Sequence, residues 1–177
     1  MRRKRHPKQV LVLGLDGAGK ITYMNSIAKS SKGEVVSAEP SKDFHTETLT
    51  CRHYTFISWD VGGDQKNRPF WRHYFATTCG LVFIVDGSCR DGWRVEEERR
   101  ELWKLLGEDE LSEAPLLVVV NEKDADVPRT LEEVVTGLGL SRDLSVDRKW
   151  YILGCCALSG EGVFEGLDLL DQALGSG

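Results

Sequence analysis

The segment Gly14-Leu15-Asp16-Gly17-Ala18-Gly19-Lys20 follows a short apolar run and precedes a stretch with helical spacing, Lys20–Ser30. Two glycines five positions apart and then a lysine are the spacing of a phosphate-binding loop. The backbone amides of such a loop and the N-terminus of its helix bind an anion, and Lys20 adds a positive charge. A glycine-rich turn that binds nothing is the alternative, which the strand–loop–helix context disfavours.

The position after the lysine departs from the motif. A serine or threonine normally stands there and gives a hydroxyl to Mg²⁺, whereas this chain has Ile21. Thr22 is next to it, but one residue along a helix turns the side chain by about 100°. We therefore expect weaker Mg²⁺ binding with the phosphate site retained. The predicted nucleotide-binding residues of this segment are Gly14, Asp16, Gly17, Ala18, Gly19, Lys20, Ile21 and Thr22.

Apolar strand-like runs alternate with amphipathic helical stretches along the whole chain. This pattern predicts an α/β fold with a mostly parallel six-stranded sheet and helices on both faces. Ligands of such sheets bind beyond the carboxyl ends of the strands. The predicted strands are Val10–Leu15, Thr46–Cys51, Tyr54–Trp59, Leu81–Asp86, Leu116–Asn121 and Tyr151–Cys155, and the later helices are Trp93–Leu106, Leu131–Leu138 and Val163–Leu174.

Composition favours one soluble globular domain. The chain has 177 residues, of which 41% are hydrophobic and 29% charged, and its apolar runs are shorter than the roughly 20 residues of a membrane span. A net charge of −5 argues against nucleic acid as a partner. The five cysteines lack metal-like spacing and are interpreted as reduced cytosolic thiols.

Residues 1–8 form a basic tail ahead of the predicted domain, 9–177. Arg2 excludes N-myristoylation, which requires glycine at that position. A solvated tail is the simplest interpretation. Weak peripheral attraction to anionic lipid and a nuclear-import patch are the functional alternatives.

Asp60-Val61-Gly62-Gly63 follows the second strand of a predicted hairpin. An aspartate here can hold Mg²⁺ through water, and the Gly63 amide can meet a terminal phosphate. With Trp59 before it and Arg68-Pro69-Phe70-Trp71-Arg72-His73-Tyr74-Phe75 after it, this stretch resembles the second switch of the ADP-ribosylation factor (Arf/Arl) family of small GTPases. The resemblance runs from about Val10 to Leu174 and includes Arg148-Lys149-Trp150-Tyr151-Ile152.

The resemblance implies a P-loop small-GTPase fold that binds GTP or GDP with Mg²⁺, acts in vesicle trafficking and has protein effectors and regulators. It assigns the metal to Ser41 and Asp60. It also implies an effector surface made by Phe44, Trp59 and Tyr74, for which plain packing of aromatic rings is the alternative. The implied location is cytoplasmic, or peripheral at intracellular membranes.

The switch segments depart from the family. Asp64 stands where the family has the glutamine that orients the attacking water, and Gln65 comes one place later. A carboxylate beside a terminal phosphate is repelled, so these two residues are an altered catalytic site. In the first switch, Lys42 and Asp43 replace an apolar residue and a glycine.

Two segments match the family's base-recognition motifs. Asn121-Glu122-Lys123-Asp124 resembles Asn-Lys-x-Asp, in which the aspartate accepts two N–H bonds from guanine. Glu122 occupies the position of the motif's lysine, and Lys123 is displaced by one. Cys156-Ala157-Leu158 matches Cys-Ala-Thr, in which the alanine amide meets the guanine carbonyl.

Two functions of different classes follow. One is a nucleotide-dependent switch that hydrolyses GTP weakly, and the other is a degenerate interaction module without hydrolysis. Asn121, Asp124 and Lys20 favour retained binding, whereas Ile21 and Asp64 favour loss of hydrolysis. An ATP-using P-loop enzyme is disfavoured by the guanine-type aspartate.

Overall fold

The computed structural model describes residues 7–30, 35–40, 47–51, 53–61, 68–122, 126–140 and 148–175. Strands and helices alternate in this part of the chain. The strands are β1 Lys8–Gly14, β2 Val35–Pro40, β3 Glu47–Cys51, β4 Tyr54–Asp60, β5 Thr78–Asp86, β6 Leu116–Asn121 and β7 Trp150–Cys155. The helices are α1 Lys20–Ser30, α2 Arg68–Phe75, α3 Gly92–Leu106, α4 Leu131–Leu138 and α5 Val163–Gly175, with a short 3-10 turn at Asp109–Leu111.

The strands form one sheet in the order β2-β3-β4-β1-β5-β6-β7. The pairings from β4 through β1, β5 and β6 to β7 are parallel, and β2–β3 and β3–β4 are antiparallel. The predicted α/β fold is confirmed, including the six predicted strands. A seventh strand, β2, extends the edge beyond β3. Its sequence, VVSAEP, lacks the alternating apolar residues that would have predicted a strand.

Both faces of the central strands are buried. Side chains alternate along β1, so that Leu11 and Leu13 face one core cluster while Val10 and Val12 face the other. Helices α3 and α4 cover the first face, with Leu102 and Val134 among their buried residues, and α1 and α5 cover the second. Burial on both sides explains the continuous apolar runs of β1, β5 and β6, which are typical of parallel sheets.

Parallel pairing brings several strand ends to one edge of the sheet. Gly14 at the end of β1 pairs with Asp60 at the end of β4. Asn121 at the end of β6 pairs with Asp86 on one side and Cys155 on the other. The predicted motifs that follow these strands therefore begin at this common edge, as expected for a ligand site in an open α/β sheet.

The Phe83 side chain fills the face of β5 that packs under α3 and α4 and is 1% exposed. We expect Phe83→Ala to lower the free energy of unfolding by about 3–5 kcal/mol, because a large cavity replaces a buried ring. Urea denaturation followed by circular dichroism measures the change. The matched control is Trp93→Ala, since Trp93 is 88% exposed and its loss should alter stability by less than about 0.5 kcal/mol. Equal losses for the two variants would contradict the assignment of the core.

Candidate functional site

The loop between β1 and α1 has a backbone that only glycine supports easily. Gly17 has φ 74° and Gly19 has φ 100°, both in the left-handed region. Gly14 is required for a different reason, because an added Cβ would lie 2.5 Å from the Ile84 carbonyl oxygen of β5. The three predicted glycines are thus explained by the shape of the loop and by its contact with the neighbouring strand.

Side chains hold the loop's carbonyl groups. The Lys20 ammonium is buried and donates to the carbonyl oxygens of Gly14 at 2.9 Å and Leu15 at 2.7 Å. Asn121 Nδ2 donates to the Ala18 carbonyl at 3.0 Å. With these carbonyl groups bonded to side chains, the fold of the loop is fixed by contacts from α1 and from β6.

Arg94 on α3 makes a further contact that the sequence did not reveal. Its Nη2 donates to the carbonyl oxygen of Asp16, which lies 78 positions earlier in the chain. Asp16 itself is exposed. The helical spacing of this region predicted α3, but no local pattern indicated which of its arginines would reach the phosphate loop. Arg94 therefore brings a cation to the outer side of the phosphate loop.

Asn121 joins three segments at the end of β6. Its side chain is 3% exposed, and Oδ1 accepts from the Ala157 backbone N–H at 3.1 Å while Nδ2 binds the phosphate loop. The backbone N–H of neighbouring Cys156 donates to the Glu161 carbonyl at 2.9 Å. The family resemblance implied that the Ala157 amide would meet a guanine carbonyl, and here the amide donates to Asn121. Both predicted base-recognition segments are therefore bonded to each other through one side chain.

The residues at the start of α1 differ in exposure. The Ile21 side chain is 52% exposed and offers no oxygen, and Thr22 is half-buried. Among the described residues, no group of three or more His, Cys, Asp and Glu side chains is arranged to hold a metal ion. The N-terminus of a helix favours an anion such as phosphate, whereas Ile21 offers no oxygen to a metal ion.

Glu122, which replaces the motif's lysine, has its carboxylate against Gly154 of β7. Its backbone N–H donates to the Cys155 carbonyl at 2.7 Å, and a Cβ added at Gly154 would lie 2.9 Å from Glu122 Oε1. Burial raises the pKa of the Cys155 thiol to about 12, and the nearby Cys156 and Glu122 contribute to the rise. Cys155 is buried, and its thiol therefore stays protonated at neutral pH.

Several predicted site residues lie outside the part of the chain that the structure describes, namely Ser41, Phe44, Gly63, Asp64, Gln65, Lys123 and Asp124. For Asp60, the backbone is placed at the end of β4, where the N–H of Val61 donates to the Gly14 carbonyl at 3.0 Å. The second switch therefore begins directly beside the phosphate loop.

Two members of the predicted aromatic triad are in contact. The rings of Trp59 and Tyr74 lie 5.4 Å apart between centroids and are tilted by 41°. Trp59 is 3% exposed and belongs to the core under α3, and Tyr74 is half-buried against the same cluster. In this conformation the Trp59 ring lies in the hydrophobic core. It could contact a partner protein only after the residues packed around it rearrange.

The bridging role of Asn121 can be tested by measuring protein stability without any ligand. We expect Asn121→Ala to lower the free energy of unfolding by at least about 2 kcal/mol, because it leaves the buried Ala18 carbonyl and Ala157 amide without their partner. Asn121→Asp should cost at least as much, since it keeps the acceptor for Ala157 but places a buried carboxylate oxygen against the Ala18 carbonyl. Chemical denaturation gives both values, with Asn25→Ala on the exposed face of α1 as the control. An Asn121→Ala protein as stable as that control would refute the bridging role.

Comparison with known families agrees with this arrangement. The model of the ADP-ribosylation factor family matches residues 1–174. That range contains the phosphate loop, the second switch and both segments joined by Asn121. Helices of the described residues are all too short or too polar to cross a membrane. The chain belongs to the ADP-ribosylation factor family of small GTPases.

Proposed function

We propose that this chain binds GTP and GDP and acts as a nucleotide-dependent switch for partner binding, with weak hydrolysis. The observation that carries the proposal is the pair of hydrogen bonds by which Asn121 joins the phosphate loop to the loop after β7. A nucleotide has a phosphate end and a base end, and this bridge fixes the distance between the segments that would bind them.

The described residues fit the phosphate end of a nucleotide. Gly17 and Gly19 give the loop its left-handed backbone, and α1 begins at Lys20, so that its N-terminal amides face the loop. The Lys20 ammonium is already held at the loop by the carbonyls of Gly14 and Leu15. These groups would bind and neutralise phosphate oxygens, and Arg94 on the Asp16 carbonyl adds to the positive charge nearby.

Base selection is assigned to the two segments that Asn121 joins. Asp124 would accept two N–H bonds from the guanine edge, which adenine lacks, and the Ala157 amide would approach the guanine carbonyl. Asn121 Oδ1 already accepts the Ala157 N–H, so that N–H would be shared between Asn121 and the guanine carbonyl in the complex. Discrimination of this kind is steep, since the wrong base leaves buried polar groups unpaired.

Metal binding is proposed to be weak. When bound, Mg²⁺ would neutralise charge between the phosphates and would be held by Ser41 and Asp60. Ile21 offers no hydroxyl, and its exposed side chain at the start of α1 is the described departure from the family's metal site. This departure favours the second candidate, a degenerate module that binds nucleotide and partners without hydrolysis.

Partners are proposed to be protein effectors and regulators that contact the switches and the aromatic residues Phe44, Trp59 and Tyr74. Because Trp59 is buried here, the proposal requires that the nucleotide state changes the exposure of its ring. A cytoplasmic location, with peripheral attraction of the basic tail to anionic membranes in vesicle trafficking, fits such a switch.

The proposal predicts base selectivity. Binding of GDP should be stronger than binding of ADP by at least about 3 kcal/mol, or more than a hundredfold, because Asp124 pairs with guanine alone. Isothermal titration calorimetry on the full chain measures both affinities. Asp124→Asn is the informative variant, since it should shift the preference toward xanthine nucleotides. Equal affinity for GDP and ADP in the native protein would remove the guanine assignment.

The altered residues predict slow hydrolysis. Phosphoryl transfer depends on positioned water and on neutralised charge, and Ile21 and Asp64 each remove one of these supports. In single-turnover phosphate release from GTP-loaded protein, we expect the Ile21→Thr/Asp64→Gln pair to exceed the native rate by more than either single variant does. Ile21 is 52% exposed, so its replacement should leave the fold intact.

The native protein could instead release phosphate at a rate typical of small GTPases, with no change in either variant. That result would mean that Gln65 orients water from its displaced position. The degenerate-site candidate would then be rejected and an ordinary hydrolysing switch retained.

A further inference from the structure

A buried ion pair lies beside the site, between α3 and the segment that leads into α4. Glu98 is 1% exposed and Arg129 is 5% exposed, and Arg129 Nη2 lies 3.0 Å from Glu98 Oε2. The same nitrogen donates to the carbonyl oxygen of Asp86 at 2.8 Å. The Arg129 backbone N–H donates to the Gly87 carbonyl at 2.7 Å. Arg129 therefore binds the carboxyl end of β5 twice.

These contacts continue to Asn121. The Gly87 N–H donates to the Asn121 carbonyl at 2.9 Å, and Asp86 is the direct register partner of Asn121. The packing around Gly87 is close, because an added Cβ would lie 2.9 Å from Val120 Cγ1 and 3.1 Å from the backbone carbonyl oxygen of Asn121. A displacement of Asp86 and Gly87 would therefore move the backbone of Asn121.

Stability alone does not account for the pair. Glu98 Oε1 and Arg129 Nε and Nη1 have no hydrogen-bond partner within the described residues, and unsatisfied buried groups of this kind are destabilising. Buried ion pairs can often be replaced by apolar side chains with no loss of stability. An apolar residue at position 129, however, has no side-chain donor for the Asp86 carbonyl. The contact that only the charged side chain provides is the one directed at the end of β5.

We propose that Arg129, oriented by Glu98, is a positioning residue for nucleotide binding. It holds Asp86 and Gly87 against Asn121, so that Asn121 keeps its hydrogen bonds to the phosphate loop and to Ala157. The proposal rests on the proposed guanine-nucleotide site and adds to it a determinant that lies outside the recognised motifs. It acts through Asn121 and makes no contact with nucleotide itself.

The test compares two buried arginines of the full-length protein. Arg129→Met removes the side-chain donors to Asp86 and Glu98 and keeps an unbranched side chain. Arg148→Met is the matched control, because Arg148 is 7% exposed and donates to the carbonyls of Leu111 and Ala114, before the amino end of β6. Release of a fluorescent GDP analogue, chased with excess GDP, should be about tenfold faster for Arg129→Met, whereas Arg148→Met should stay near the native rate.

A second readout separates positioning from a general loss of structure. In ¹⁵N-labelled protein without nucleotide, Arg129→Met should shift the NMR signals of the Asn121 side-chain amide and the Ala157 backbone amide, and Arg148→Met should leave both in place. Arg129→Lys keeps a cation beside Glu98 and should recover part of the native release rate. If Arg129→Met does not fold, the same two measurements are made on Arg129→Lys and Glu98→Gln. Glu101→Gln is then the control, because Glu101 is also a buried carboxylate of α3.

Unchanged release and unchanged NMR signals in folded Arg129 variants would overturn the positioning role. So would equal effects of the Arg129 and Arg148 substitutions. Failure of the proposed function is distinguishable from both, because native protein would then bind no guanine nucleotide while the two NMR signals still report whether Arg129 positions Asn121.

Discussion

The arrangement of the site depends on the side chain of Asn121. One amide group with a donor and an acceptor binds the Ala18 carbonyl and the Ala157 amide at the same time, at 3.0 and 3.1 Å. These partners lie 103 and 36 positions away in sequence, so a single buried residue sets the spacing of segments that the chain connects only distantly. Because the side chain is buried, both bonds are protected from exchange with water, and a lost bond leaves an unpaired polar group.

The sheet makes this bridge possible. Two-sided burial of β1, β5 and β6 requires helices on both faces, and parallel pairing then brings the ends of these strands to one edge. Gly14, Asp86 and Asn121 end their strands there. The phosphate loop and the segments that follow β6 and β7 meet because of the topology of the sheet.

Local sequence predicted the parts of the fold that depend on local forces. Apolar runs located the central strands, the glycine and lysine spacing located the phosphate loop, and Asn121 was recognised from its motif. Strand β2 lacked such a signal, since it forms through pairing with β3. Arg94 and Arg129 were also missed, because each bonds a carbonyl far away in sequence, 78 and 43 positions respectively, and neither spacing nor composition encodes such a contact. For Trp59, the motif placed the residue, and only the packing revealed that its ring is buried.

The phosphate loop and Asn121 favour nucleotide binding, whereas Ile21 and Asp64 oppose hydrolysis. We propose that the retained site binds a guanine nucleotide. The most direct measurement is to denature the purified full-length protein, with and without prior removal of Mg²⁺, and to identify the released nucleotide by chromatography and mass spectrometry. We expect GDP or GTP, and we expect its retention to change little when Mg²⁺ is removed. Release of an adenine nucleotide, or no bound nucleotide from a folded protein that also fails to take up added GDP, would contradict it.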